Sequence, residues 1–137
     1  MNMMLLKQIL IQHEGLRLFP YKCTAGKLTI GVGRNLETRG ITHDEAIYLL
    51  ENDIDEVLNA CTNLPYWHEL DEVRQCVVAD MVFNLGFNGF RSFRKLNEAL
   101  AKQDYMRTAY EMKNSHWYKQ VGARGVRLVN AMQTGSF

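Results

Sequence analysis

The sequence predicts an α+β fold, mostly helical, in which an opening helix leads into a small antiparallel sheet and the remainder forms a helical bundle. Three observations predict it. Strand-type residues punctuated by glycine are confined to residues 16–36, and helical apolar spacing runs through residues 3–13 and again from 42 onward. No repeat, low-complexity tract or Gly/Ser/Pro-rich linker divides the 137 residues, so a single domain is expected.

Each element has a local reason. Leu5, Leu6, Ile9 and Leu10 share a helical face, with Asn2 as N-cap and Gly15 as the stop. Leu18, Phe19, Tyr21, Leu28, Ile30 and Val32 are strand-type residues, and Cys23-Thr24-Ala25-Gly26 is the natural hairpin turn. Ile41-Thr42-His43-Asp44-Glu45-Ala46 is a helix start: Thr42 caps, Glu45 completes a capping box and Ile41 staples onto Ala46. Apolar residues from Ala46 to Leu58 extend that helix for about four turns. Leu70, Val73, Val77, Val78, Met81, Val82 and Leu85 mark a second long helix ended by Gly86, with Pro65 in the loop before it. Shorter helices are expected at 91–102, 104–113, 116–120 and 123–132. Cys61 and Cys76, Trp117 with Tyr118, and Met81, Met106, Met112 and Met132 are read as core residues at helical spacing.

Composition narrows the function. With 47% hydrophobic and 23% charged residues the chain has enough apolar surface to order itself, so intrinsic disorder is excluded. No apolar run approaches the roughly 20 residues a membrane span needs. A formal charge of +1 makes no strong field, which argues against nucleic acid or a membrane surface as partner. Three cysteines at irregular spacing form no metal motif and no disulfide scaffold, so free thiols in a reducing compartment and no metal are expected. Lys7 and Gln8 interrupt the apolar amino terminus and no small-residue cleavage site follows, so no signal peptide is expected.

The informative spacing is Glu14, then Cys23 nine positions on, then Thr29 six positions after that. A helix C-terminus disfavours a second negative charge, which suits a carboxyl that must hold a proton. Such a group facing a cleft is what glycosidic cleavage requires, because the leaving oxygen is protonated as the bond breaks. Cys23 and Thr29, across the hairpin, could hold a water or a nucleophile. Taken alone, Glu14 reads more readily as a surface glutamate at a helix end, and spacing does not establish catalysis.

The stretch HEGLRLFPYKCTAGKLTIGVGRN resembles the catalytic region of phage lysozymes, muramidases of the T-even phage type with a Glu, eight residues, an Asp or Cys, five residues and a Thr. ITHDEA resembles the start of that family's interlobe helix, MVFNLG its cleft-lining helix, and SHWYKQVGARGVRLVNAMQTGSF its carboxy-terminal helices, so the resemblance covers nearly the whole chain in order. It implies a two-lobed lysozyme fold over 1–137: a sheet lobe at about 14–41, an interlobe helix at about 42–60, and a helical lobe at about 61–137 with helix 2–13 packed on it.

The resemblance also implies roles. Glu14 matches the general acid, Cys23 the second catalytic position (Asp in the T-even enzymes), and Thr29 the third. Arg124 matches the arginine that pairs with the acid. Phe83, Asn84 and Asn35 fall at glycan-contacting positions, although Asn84 is Gln and Asn35 apolar in the T-even enzymes. Arg34 stands where those enzymes carry His, with Asp53 as its expected partner, and the short segment between Arg34 and Thr42 implies a trimmed sheet lobe.

The thiol is the main departure. A free thiol with a pKa of about 8.5 is mostly neutral at neutrality and a weak base. Three readings stay open: a thiol positioning water in an inverting hydrolysis, a thiolate forming a covalent intermediate, or a weakened site that binds glycan. The resemblance implies an endolysin, hydrolysing the β-1,4 bond between N-acetylmuramic acid and N-acetylglucosamine in peptidoglycan. It would be a monomer without cofactor, made in a host cytoplasm and released to the wall by a holin-type pore. Lytic transglycosylase chemistry on the same acid is the alternative.

Overall fold

A computed structural model describes all residues from Met1 to Phe137. The chain divides into two compact units, Met1–Leu49 and Leu50–Phe137, called here the sheet unit and the helical unit.

The sheet unit opens with α1 (Met3–Glu14). Asn2 caps it, its Oδ1 accepting from the Leu5 amide at 3.0 Å. Gly15 ends it at φ +79°, a backbone conformation open to glycine, with its N–H on the Ile11 carbonyl at 2.8 Å. Strands β1 (Arg17–Lys22), β2 (Leu28–Gly31) and β3 (Arg34–Asn35) follow as an antiparallel sheet in the order β1-β2-β3. The pairing is Arg17 with Gly31, Tyr21 with Thr29, and Lys22 with Leu28, so β1 bulges between Arg17 and Tyr21. Pro20 lies inside that bulge, where a residue without an N–H leaves no ladder bond unmade. The expected hairpin turn is present: the Gly26 amide donates to the Cys23 carbonyl at 2.8 Å and the Cys23 amide to the Lys27 carbonyl at 2.9 Å.

Helix α2 (His43–Cys61) starts as the sequence predicts. The Thr42 amide donates to Glu45 Oε1 at 2.8 Å, and the Glu45 amide to Thr42 Oγ1 at 3.1 Å.

In the helical unit, a 3-10 turn at Trp67–Glu69 precedes α3 (Glu72–Leu85), α4 (Phe87–Arg91), α5 (Arg94–Ala101), α6 (Tyr105–Lys113), α7 (His116–Val121) and α8 (Ala123–Thr134). Asp71, Asp104 and Ser115 cap α3, α6 and α7 through side-chain oxygens. Phe90, Met81, Leu100, Met112 and Met132 are its largest fully buried side chains. Arg74 joins α3 to the end of α8. Its Nε and Nη2 donate to the carbonyls of Met132 and Gln133 at 2.8 and 3.1 Å, its Nη1 meets Asp71 at 2.9 Å, and its plane lies 3.8 Å from the Tyr105 ring centre. Two carbonyls left over at a helix end thereby gain a charged partner.

Several expectations are corrected. The helix expected at 91–102 is α5, starting three residues later at Arg94, and a short helix the sequence does not announce, α4, precedes it; Ser92 Oγ donates to the Gly89 carbonyl at 2.6 Å and closes α4 before α5 begins. The 3-10 turn carries no apolar periodicity that would announce it. Cys76 is exposed on α3, although Cys61 is buried as expected. Met106 is exposed on the first turn of α6, whereas Met81, Met112 and Met132 are core. Helical spacing alone does not tell the two sides of a helix apart when apolar residues occupy both.

Candidate active site

Three of the catalytic candidates fall in the sheet unit. Tyr21 and Thr29 are cross-strand partners, and Cys23 lies two residues beyond Tyr21, so the two-residue period of a strand brings Cys23 and Thr29 to one face of the hairpin. Thr29 is buried, with 2% of its surface exposed, and its hydroxyl donates to the Lys27 carbonyl at 2.9 Å. The Cys23 amide reaches that same carbonyl, so one acceptor ties both residues to the turn.

Cys23 is half-buried at the hairpin. Hydrogen bonding from the backbone at Lys27 and then Ala25 holds its thiol below the ordinary value, the Thr29 side chain adding to the effect and desolvation working against it. The turn is thus an environment that favours a negative charge at position 23.

Glu14 is the last residue of α1, exposed, with its carboxyl over the turn between β2 and β3. A methyl group at Gly33 would stand 2.9 Å from Glu14 Oε2. The end of α1 and the sheet that carries Cys23 and Thr29 therefore meet at Gly33, a residue the sequence marks only as turn punctuation.

Arg34 pairs with Glu45, not with the expected Asp53. Nη1 and Nη2 meet Oε1 and Oε2 at 2.9 Å each, and Nη1 also donates to the Gly40 carbonyl at 3.1 Å. Glu45 already serves the Thr42 cap, so one carboxylate holds both the helix start and β3. The Arg34 guanidinium, then the Thr42 backbone and side chain, hold its carboxyl down at about 2.

Asn35 pairs with Thr29 across β2 and β3, and its Oδ1 accepts from the Glu37 and Thr38 amides, both at 3.1 Å. Its carbonyl oxygen is occupied in forming the turn.

The other candidates belong to the helical unit. Phe83 is exposed near the end of α3, in a groove with Asp53, Glu56, Val57, Gly86 and Phe87. Asn84 Oδ1 accepts from Trp117 Nε1 at 3.1 Å, which fixes its amide and satisfies an indole that is buried as expected. The Arg124 guanidinium is engaged by Asp80, with Nε to Oδ1 at 2.8 Å and Nη2 to Oδ1 at 2.7 Å. Sequence reasoning missed this partner, because 44 residues separate the two. No group of three or more His, Cys, Asp or Glu side chains is arranged to hold a metal ion.

Comparison with known proteins bears on these residues. The chain is 28% identical to the probable T4-type lysozyme 2 of Dictyostelium discoideum over 162 aligned positions, covering 96% of this chain and 95% of that protein. Those positions outnumber the 137 residues here, so the relative carries stretches that this chain lacks. It is 30% identical to the SAR-endolysin of Escherichia phage Mu, covering 90% of this chain and 72% of that protein. It is 26% identical to the pre-baseplate central spike protein Gp5 of Enterobacteria phage T4, covering 97% of this chain but 28% of that protein. The phage lysozyme family matches residues 11–133, a span that holds Glu14, Cys23, Thr29, Phe83, Asn84 and Arg124, and the chain belongs to that family of lysozyme-type hydrolases.

Proposed function

We propose that this protein hydrolyses the β-1,4 bond between N-acetylmuramic acid and N-acetylglucosamine in bacterial peptidoglycan, with inversion at the anomeric carbon. The observation that carries the reading is the Glu14, Cys23, Thr29 series within one unit, the first seated against the β2–β3 turn and the other two on one face of the hairpin. Glu14 gives its proton to the leaving oxygen as the carbon–oxygen bond breaks. Water attacks the anomeric carbon from the opposite side, positioned by Cys23 and the Thr29 hydroxyl, and gives its proton to the Cys23 sulfur where that thiol is ionised. Backbone hydrogen bonding at Lys27 and Ala25, which favours the thiolate, supports that role for a residue otherwise weak as a base. Phe83, Asn84 and Asn35 contact glycan in this reading.

The place of action is the bacterial cell wall, and two relatives suggest different routes there: one is named an endolysin and another a central spike protein. We favour release from a host cytoplasm through a holin-type pore.

The test is reducing-end release from purified peptidoglycan by wild type and Glu14→Gln, with the fresh anomer followed by NMR. The reading expects an inverted anomer from wild type and no release from Glu14→Gln. Retention of configuration would transfer Cys23 to the role of nucleophile, and anhydro-muramic ends in the mass spectrum would assign a transglycosylase. Sedimentation with peptidoglycan but no new ends from wild type would leave a binding module.

A further inference from the structure

Five glycines lie in the sheet unit, and all five have a positive φ. At Gly15, Gly26, Gly31 and Gly40 a Cβ would meet nothing within 4 Å, so their backbone conformation alone accounts for the residue type. Gly33 is different. A Cβ there would stand 2.9 Å from Glu14 Oε2, 3.2 Å from Cδ and 3.4 Å from Cγ, inside the space the carboxyl occupies.

We propose that Gly33 is a positioning residue for the Glu14 carboxyl: the missing side chain at 33 is the seat in which that carboxyl lies. The proposal rests on the reading of Glu14 as general acid and adds what sets its place. The conflicting atoms are the far end of a flexible side chain, not backbone. A methyl at 33 is therefore relieved by rotating the Glu14 carboxyl away, and the fold need not give. The consequence belongs to the chemistry, since moving a reacting group by about 1 Å can cost about 10²-fold in rate.

Gly31 supplies the control. It shares the φ of +70° and the same sheet, but has open space where its Cβ would go. Gly31→Ala therefore carries the backbone strain of Gly33→Ala without the conflict with Glu14. The experiment measures three quantities for wild type and both variants: the thermal midpoint, kcat and KM on soluble glycan strands, and the 13C shift of the Glu14 carboxyl during a pH titration.

The expected result is a similar fall in thermal midpoint for both variants. Only Gly33→Ala should lose about 10²-fold in kcat with KM nearly unchanged, and only Gly33→Ala should move the Glu14 carboxyl signal. If the alanine variant fails to fold, Gly33→Asn takes its place, because asparagine tolerates a positive φ while still presenting a Cβ. Equal kcat losses at 31 and 33, or an unmoved carboxyl signal in a folded Gly33 variant, would overturn the proposal. Glu14→Gln separates the two layers: full activity in that variant would remove the acid role, while the carboxyl signal of Gly33→Ala would still report whether residue 33 seats the group.

Discussion

Replacing Thr29 by valine keeps the shape of the side chain and removes one hydroxyl. Thr29 is 2% exposed, so valine fills the same space without a new cavity. The hydroxyl donates to the Lys27 carbonyl at 2.9 Å, and that carbonyl also accepts from the Cys23 amide at 2.9 Å. The acceptor keeps one partner in the variant, which places the cost at the ordinary net value of a hydrogen bond, about 1 kcal/mol. In a chain of this length that is a fall of about 4 °C in the melting midpoint. Domains have roughly 5–15 kcal/mol of stability, so the variant stays almost wholly folded at room temperature. Any large loss of turnover then belongs to the chemistry. Thr29→Val is expected to lose about 10²-fold in reducing-end release per folded molecule, and Thr29→Ser, which restores the hydroxyl, to recover most of it. Thr29→Val within twofold of wild type would refute the role given to this hydroxyl.

Two further outcomes follow from other contacts. Phe90 is fully buried in the helical unit, and Phe90→Ala should cost about 3–5 kcal/mol, read as a lower urea midpoint; a cost under about 1 kcal/mol would mean the site collapses on the cavity. Arg34 holds the Glu45 carboxyl at about 2 against an ordinary 4.5, so the stabilisation is complete above the ordinary value and drains away as pH falls from 4.5 towards 2. Glu45→Gln should melt lower than wild type at neutral pH and lose less on acidification, and parallel melting curves of the two proteins against pH would rule this out.

What was legible in the sequence is what local chemistry decides. Asn2, Gly15 and the Thr42–Glu45 box act within one turn of themselves, and each is found where the spacing put it. The hairpin at Cys23–Gly26 is legible for the same reason. Partners distant in sequence were not. Periodicity carries no information on whether Arg34 finds Glu45 or Asp53, or that Asp80 engages Arg124 across 44 residues. Cys76 and Met106 face solvent although both are apolar residue types at helical spacing, and roughly half of a folded surface is apolar in any case. Gly33 is the instructive miss: a glycine tells of a special backbone or a close neighbour, and only coordinates say which.

The cysteine at position 23 is the residue on which this chain departs from the T-even pattern, and its surroundings make a prediction about the exchange. Backbone hydrogen bonding at Lys27 and Ala25 favours negative charge there, whatever atom carries it. An aspartate is ionised at neutral pH without help, and the same turn would hold it as an anion. Cys23→Asp should therefore fold, retain reducing-end release with the inverted anomer, and remain active at lower pH than wild type, because its base is charged across a wider range. Cys23→Ser offers a group that does not ionise in this range and should lose most of the activity while melting close to wild type. The two substitutions separate charge from size: both are small and polar, and one is an anion. If Cys23→Ser turns over as fast as wild type, charge at position 23 is not part of the reaction. If Cys23→Asp is folded but inactive while wild type is active, sulfur itself is required, which points to a covalent bond from the thiolate and to retained configuration in the product.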